Sequence, residues 1–123
     1  MKLRIRGNSI RLRLSQRDVH FFKEKGEITD SIRFGIQPEE KLTYGLEVAD
    51  IKKLDCQFSN QTIKIFVPKE LAKIWVETEL VGMEHLAHSS QNTQLQILIE
   101  KDYKCLHLRV DEDETDSFPH PRA

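Results

Sequence analysis

A chain of 123 residues is long enough for one domain with its own core, able to bury about two-thirds of its unfolded surface without disulfides or metals. Its 38% hydrophobic and 32% charged residues are those of a soluble globular protein, and no apolar run approaches the roughly 20 residues that span a bilayer. The net charge of −1 hides an asymmetry: residues 1–17 carry six Lys/Arg and no acid, whereas residues 111–123 carry five Asp/Glu and one Arg.

In chain order, Leu3, Ile5, Ile10, Leu12 and Leu14 alternate with Lys2, Arg4, Arg6, Arg11 and Arg13 about a Gly7-Asn8-Ser9 turn. That period of two predicts a β-hairpin with one apolar and one basic face. The same alternation at Met1-Lys2-Leu3-Arg4 lacks the continuous apolar core of a secretory signal, and the expected location is cytoplasmic. Ser15 is placed to cap a helix running to about Lys25, with Asp18 near its positive end, Val19 and Phe22 on its inner face and Gly26 as its stop.

Strands are expected at 28–34 and 42–48, followed by a second hairpin in which Cys56 and Phe58 lead through Ser59-Asn60-Gln61 to Ile63, Ile65 and Val67. Pro68 suits a first helical position, and Leu71, Ile74, Trp75 and Thr78 share one face of the helix it opens. A loop or weak strand is expected over 80–93, then strands near 94–101 and 103–110.

This order recurs at an offset of 53, with Ile10 meeting Ile63, Leu14 meeting Val67, Phe22 meeting Trp75 and Leu42 meeting Leu95. The expectation is an α+β, β-rich fold: a curved antiparallel sheet or barrel with two helices and a pseudo-two-fold internal repeat. Residues 1–110 form one domain, with halves of about 1–53 and 54–106, and residues 111–123 an acidic tail. In that tail Phe118 is expected to dock on the domain while the acids approach the basic hairpin.

Arginine presents a planar fork that matches phosphate and carboxylate oxygens, so Arg4, Arg6, Arg11 and Arg13 are candidate anion ligands, with Lys64 in the second hairpin. The competing reading is a solvated sheet face that discourages edge-to-edge aggregation. Nucleic-acid binding is disfavoured, because the chain is slightly acidic overall and no aromatics interleave with the basic stripe. Glu47 and Glu100 occupy equivalent positions of the two halves; were the polar faces to line a lumen, they would be candidate ligands for a divalent cation.

Cys105 and His107 project from one face of a predicted strand and could take a soft transition metal with Asp111 or Asp113. Cys56 lies apart from them, and neither cysteine belongs to a Cys-x-x-Cys pair, which excludes a disulfide framework. His85 and His88 border a polar stretch. The chain has none of the Gly-rich phosphate loops, nucleophile-elbow serines or helix-borne His pairs that name a reaction class.

The stretches "RIRGNSIRLRL" and "LIEKDYKCL", with an acidic "ED" followed by "FPHP", resemble over nearly the full chain a group of small uncharacterised bacterial proteins, a likeness that implies no activity. Over about a tenth of the chain, "LRIRGNSIRLRL" is similar to the Arg-rich hairpin of the CYTH family of triphosphate tunnel enzymes and thiamine-triphosphatase relatives. That likeness implies an eight-stranded barrel holding a triphosphate and divalent cations, with Arg4, Arg6, Arg11 and Arg13 as phosphate contacts. The family's N-terminal Glu-x-Glu-x-Lys signature is absent.

Two functions follow. The first is a non-catalytic module binding a protein or an anionic small molecule. The alternative is a phosphohydrolase or triphosphate-binding protein that uses the basic hairpin for phosphate and Glu47 with Glu100 for a divalent cation.

Overall fold

Alternation and turn chemistry produce the first hairpin as expected: β1 (Lys2–Arg6) and β2 (Ser9–Leu14) pair antiparallel across the two-residue turn Gly7-Asn8, where Gly7 has a φ of +55° that glycine tolerates without steric cost. The computed structural model describes residues 1–88, 92–104 and 116–122. Helix α1 (Gln16–Lys25) begins in a capping box: the Asp18 N–H donates to Ser15 Oγ at 3.2 Å, and the Ser15 N–H donates to Asp18 Oδ2 at 2.9 Å. It stops at Gly26, which takes the left-handed conformation while its N–H donates to the Phe22 carbonyl.

Strands β3 (Glu27–Arg33) and β4 (Lys41–Ala49) follow, then the second hairpin β5 (Asp55–Ser59) and β6 (Thr62–Pro68). Helix α2 (Lys69–Glu77) leads to β7 (Gly82–His88) and β8 (Gln94–Lys101). Pro68 is the residue before the helix rather than its first position. The segment expected as a loop or weak strand contains β7, a seven-residue strand paired antiparallel with β8. The strand expected over 103–110 falls mostly outside the described residues.

Among the described residues two four-stranded sheets result, with strand orders β1-β2-β8-β7 and β3-β4-β6-β5. Each has a parallel pair at its centre, β2 with β8 and β4 with β6, flanked by antiparallel pairs. The sheets are therefore mixed rather than antiparallel, and among the described residues neither closes into a barrel, which corrects the tunnel geometry implied by the CYTH likeness. The cause is topological. Helix α1 carries the chain from β2 in the first sheet to β3 in the second, and α2 returns it from β6 to β7, so each hairpin pairs with strands of the other half.

Hairpin, helix, strand and strand occur twice in this order, and β5, β6, α2 and β8 each start 53 residues after β1, β2, α1 and β4. The core draws Leu12, Leu14, Ile97 and Ile99 from the first sheet and Leu46, Ile65 and Val67 from the second. Phe22 of α1 meets the fully buried Trp75 of α2 edge-to-face, with ring centroids 6.2 Å apart. Helix α2 buries Ala72 and Trp75 and exposes half of Ile74, so its inner face is rotated from the expected Leu71-Ile74-Trp75-Thr78 row.

Both helices lie where β2, β4, β6 and β8 end. At the opposite end stand both hairpin turns, the loop 34–40 and the start of β8, tied by hydrogen bonds from the Thr43 N–H to the Gln61 carbonyl and from the Gln96 N–H to the Asn8 carbonyl. Phe118 is 98% exposed, so it does not dock, and residues 111–115 of the acidic tail lie outside the described residues. No helix among the described residues is long and apolar enough to cross a membrane.

Candidate functional site

Because strand side chains alternate, burying Ile10, Leu12 and Leu14 of β2 drives Arg11 and Arg13 to the opposite face of the first sheet. Register then sets Arg4 of β1 against Arg11 and Lys2 against Arg13, while Arg6 stands opposite Ser9. Arg4, Arg6, Arg11 and Arg13 thus form the expected basic face, directed away from the core. Glu100 joins them because β8 pairs with β2 on the other side, Arg13 opposite Glu100.

The Glu100 carboxylate accepts from Arg13 Nε at 2.5 Å and lies 3.8 Å from an Arg11 guanidinium nitrogen. Lys2 Nζ donates to Asp102 at 2.9 Å. These carboxylates supply part of the neutralising charge along the row. The Arg11 and Arg13 side chains are only 17% and 13% exposed, whereas Arg4 and Arg6 are open to solvent on the edge strand.

Lys64 and Glu47 are elsewhere, on the outward face of the second sheet. Lys64 Nζ donates to Glu27 Oε1 at 2.7 Å, and Glu27 is the cross-strand partner of Glu47. The Lys64 ammonium beside Glu27 and the hydrogen bond shared with Glu47 hold the Glu27 carboxyl below its usual range. The Glu27 carboxylate, and then partial burial, push Glu47 up, so the two acids share a proton over an interval of pH in which ordinary glutamates are both ionised. Gly45, between Thr29 and Lys64 in the sheet, has no room for a side chain: a Cβ there would collide with the Ile28 carbonyl oxygen.

The structure therefore does not bring Glu47 and Glu100 together. They belong to different sheets, each on a face turned away from the shared core, and the apolar interior leaves no lumen for a cation between them. Among the described residues no three His, Cys, Asp or Glu side chains converge in a way that could hold a metal ion. Cys105 and His107 lie outside the described residues. Cys56 stands half-buried on β5, and desolvation, followed by the charge of Asp55, raises its thiol to about 11.

Sequence reasoning missed two features. Glu27 gave no signal, because its role depends on cross-strand register. The other is a cavity of about 980 Å3 between α1 and the end of β8, where Lys23, Lys101 and Lys104 surround Leu14, Val19 and Val76. Lys101 is partly committed there, donating to the Thr78 carbonyl at 2.6 Å and lying 5.7 Å from the Trp75 ring centre.

Fold and face together define a class: a β-rich α+β protein of two open mixed sheets, with a guanidinium row on the outward side of one. The chain belongs to the family of unknown function DUF7009, which it matches over residues 1–122. No curated protein and no solved structure matches it.

Proposed function

We propose that the protein is a cytoplasmic binding module that takes an anionic ligand, through carboxylate or phosphate groups, on the outward face of β1 and β2. One observation carries the reading: register sets Arg4 opposite Arg11 and Lys2 opposite Arg13, cation against cation. Like charges directly opposite each other destabilise a sheet. Glu100 and Asp102 already offset part of that repulsion; an anion laid along the row adds to the neutralisation, and guanidinium forks match its oxygens two at a time. Arg4 and Arg6, on the exposed edge strand, meet an incoming ligand first, and the ligand then competes with Glu100 for Arg11 and Arg13.

The test is an NMR titration of 15N-labelled protein with tripolyphosphate and, separately, with a Glu-rich peptide, each at low salt and at ~0.3 M salt, where screening shortens the reach of charge. Saturable shifts in the amides of residues 4–13, weakened by salt and reduced at least tenfold in affinity by R4E/R6E, are expected. Absence of saturable binding by either probe overturns the proposal. Which probe binds more tightly separates a small anion from the acidic surface of a protein.

A second reading is favoured by the cavity beside α1, where Lys23, Lys101 and Lys104 outnumber Asp102 around apolar walls, which suits a small anion with an apolar body. In that case tripolyphosphate is a poor ligand, naphthyl phosphate a better one, and the shifts centre on Val19, Lys23 and Lys104 instead.

A further inference from the structure

Among its polar turns, the end of the molecule opposite the helices exposes the large apolar side chains Ile5, Phe34, Ile36 and Phe58. Between the two hairpins a cleft of about 300 Å3 is lined by Ile5, Ile10 and Leu95 from the first sheet and Cys56, Phe58 and Ile63 from the second. Its lips are exposed, Ile5 by 62% and Phe58 by 70%. At the same end the loop 34–40 holds out Phe34, 70% exposed, and Ile36, 92% exposed. That loop is fixed: the Phe34 N–H donates to the Glu40 carbonyl at 2.7 Å, and Arg33 reaches the Gln37 carbonyl. A pair of projecting apolar side chains and an apolar cleft thus occupy one end of one chain.

We infer that this end is a self-complementary interface between two copies of the chain, in which Phe34 and Ile36 of each copy enter the Ile5–Phe58 cleft of the other about a two-fold axis. Such an axis makes every contact twice, so a surface carrying both the projection and its receptor closes as a dimer instead of propagating.

Area supports a dimer. Four large side chains of roughly 150–200 Å2 each, exposed to the extents above, offer ~500 Å2 of apolar surface per copy. Two copies give ~1,000 Å2, and at the ~65% apolar share of homodimer interfaces this implies ~1,500 Å2 buried in total, within the standard range for stable complexes.

The test is sedimentation velocity on the full chain from 1 to 200 μM. A dimer is expected for the wild type, and at least a hundredfold weaker association for F34D/I36D, which removes the projection, and for F58D, which spoils the cleft. Far-UV circular dichroism and melting temperature at low concentration establish that both variants fold; the substituted side chains are exposed, so both should. Mixing the two variants is the decisive arm: intact Phe34 and Ile36 of the F58D chain meet the intact cleft of the F34D/I36D chain, restoring one contact of the two. A mixed dimer stronger than either variant alone is expected. A wild type that stays monomeric to 200 μM, a dimer that survives F34D/I36D, or variants that gain nothing on mixing overturns the inference.

Discussion

Removing the Trp75 side chain tests the interior, because this residue joins both helices to the sheets. It is fully buried, meets Phe22 edge-to-face at 6.2 Å, and its indole N–H donates to the Val81 carbonyl at 3.1 Å. Trp75→Ala leaves a cavity at the junction of α1, α2 and β8 and should cost about 3–5 kcal/mol. A chain of this length has a total stability of roughly 6–18 kcal/mol, so a large share is lost at one site. Trp75→Phe keeps an aromatic ring against Phe22 but gives up the indole donor and part of the volume, a loss of about 2 kcal/mol. Urea unfolding followed by far-UV circular dichroism reads both variants; unchanged m-values identify the shifts as stability changes. Trp75 is also the sole tryptophan, so native wild-type emission should be blue-shifted and move red on unfolding. A Trp75→Ala loss under about 1 kcal/mol, or native emission already at the solvent-exposed position, refutes this account of the core.

Three further outcomes follow from local chemistry. Glu47 has a raised folded-state pKa, so its contribution favours folding below the unfolded value and is lost as pH rises through the folded one. Glu47→Gln, which keeps a donor toward Glu27 at every pH, should therefore raise the melting temperature at pH 7 by about 1–3 °C, a small gain because the pair is solvent-screened, and the difference should close near pH 4. An unchanged or lower melting temperature at pH 7 contradicts the shared proton. The Cys56 thiol, raised to about 11, should react with iodoacetamide at pH 8 about a hundredfold more slowly than an ordinary exposed thiol, measured in a Cys105→Ser background. Gln61 holds a φ of +55° in the β5–β6 turn after Asn60 at +50°, so Gln61→Gly completes the Asn-Gly pair that this conformation prefers and should add about 0.5–1 kcal/mol by chemical denaturation; a loss of stability argues that the Gln61 side chain carries a contact worth more than the strain.

What the sequence made legible was chemistry acting over a few residues. Ser15 with Asp18, Gly26 after Lys25, and the alternation through residues 2–14 each fix their own backbone, and each element formed as expected. β7 was obscured because its inner row, Met83, His85 and Ala87, is hardly more apolar than its outer row, which includes Leu86, so the period-two signal nearly vanishes. Strand direction was not legible either, since a period of two reads the same in parallel and antiparallel pairs; it took the path of the two helices between sheets to set β2 parallel to β8.

The candidate site divides in the same way. That the four arginines share one face follows from alternation alone. That Glu100 enters between Arg11 and Arg13 depends on a pairing across 87 residues, and that Glu27 binds Lys64 on one across 37. Glu47 and Glu100 each stand seventh in their strands, β4 and β8, yet that match argued for the wrong geometry. Equivalent strands of the two halves end in different sheets, and each sheet must turn its apolar face to the common core. Polar residues at matching positions are then carried to outward faces of separate sheets, so in this topology a matched pair of carboxylates marks two surfaces rather than one site.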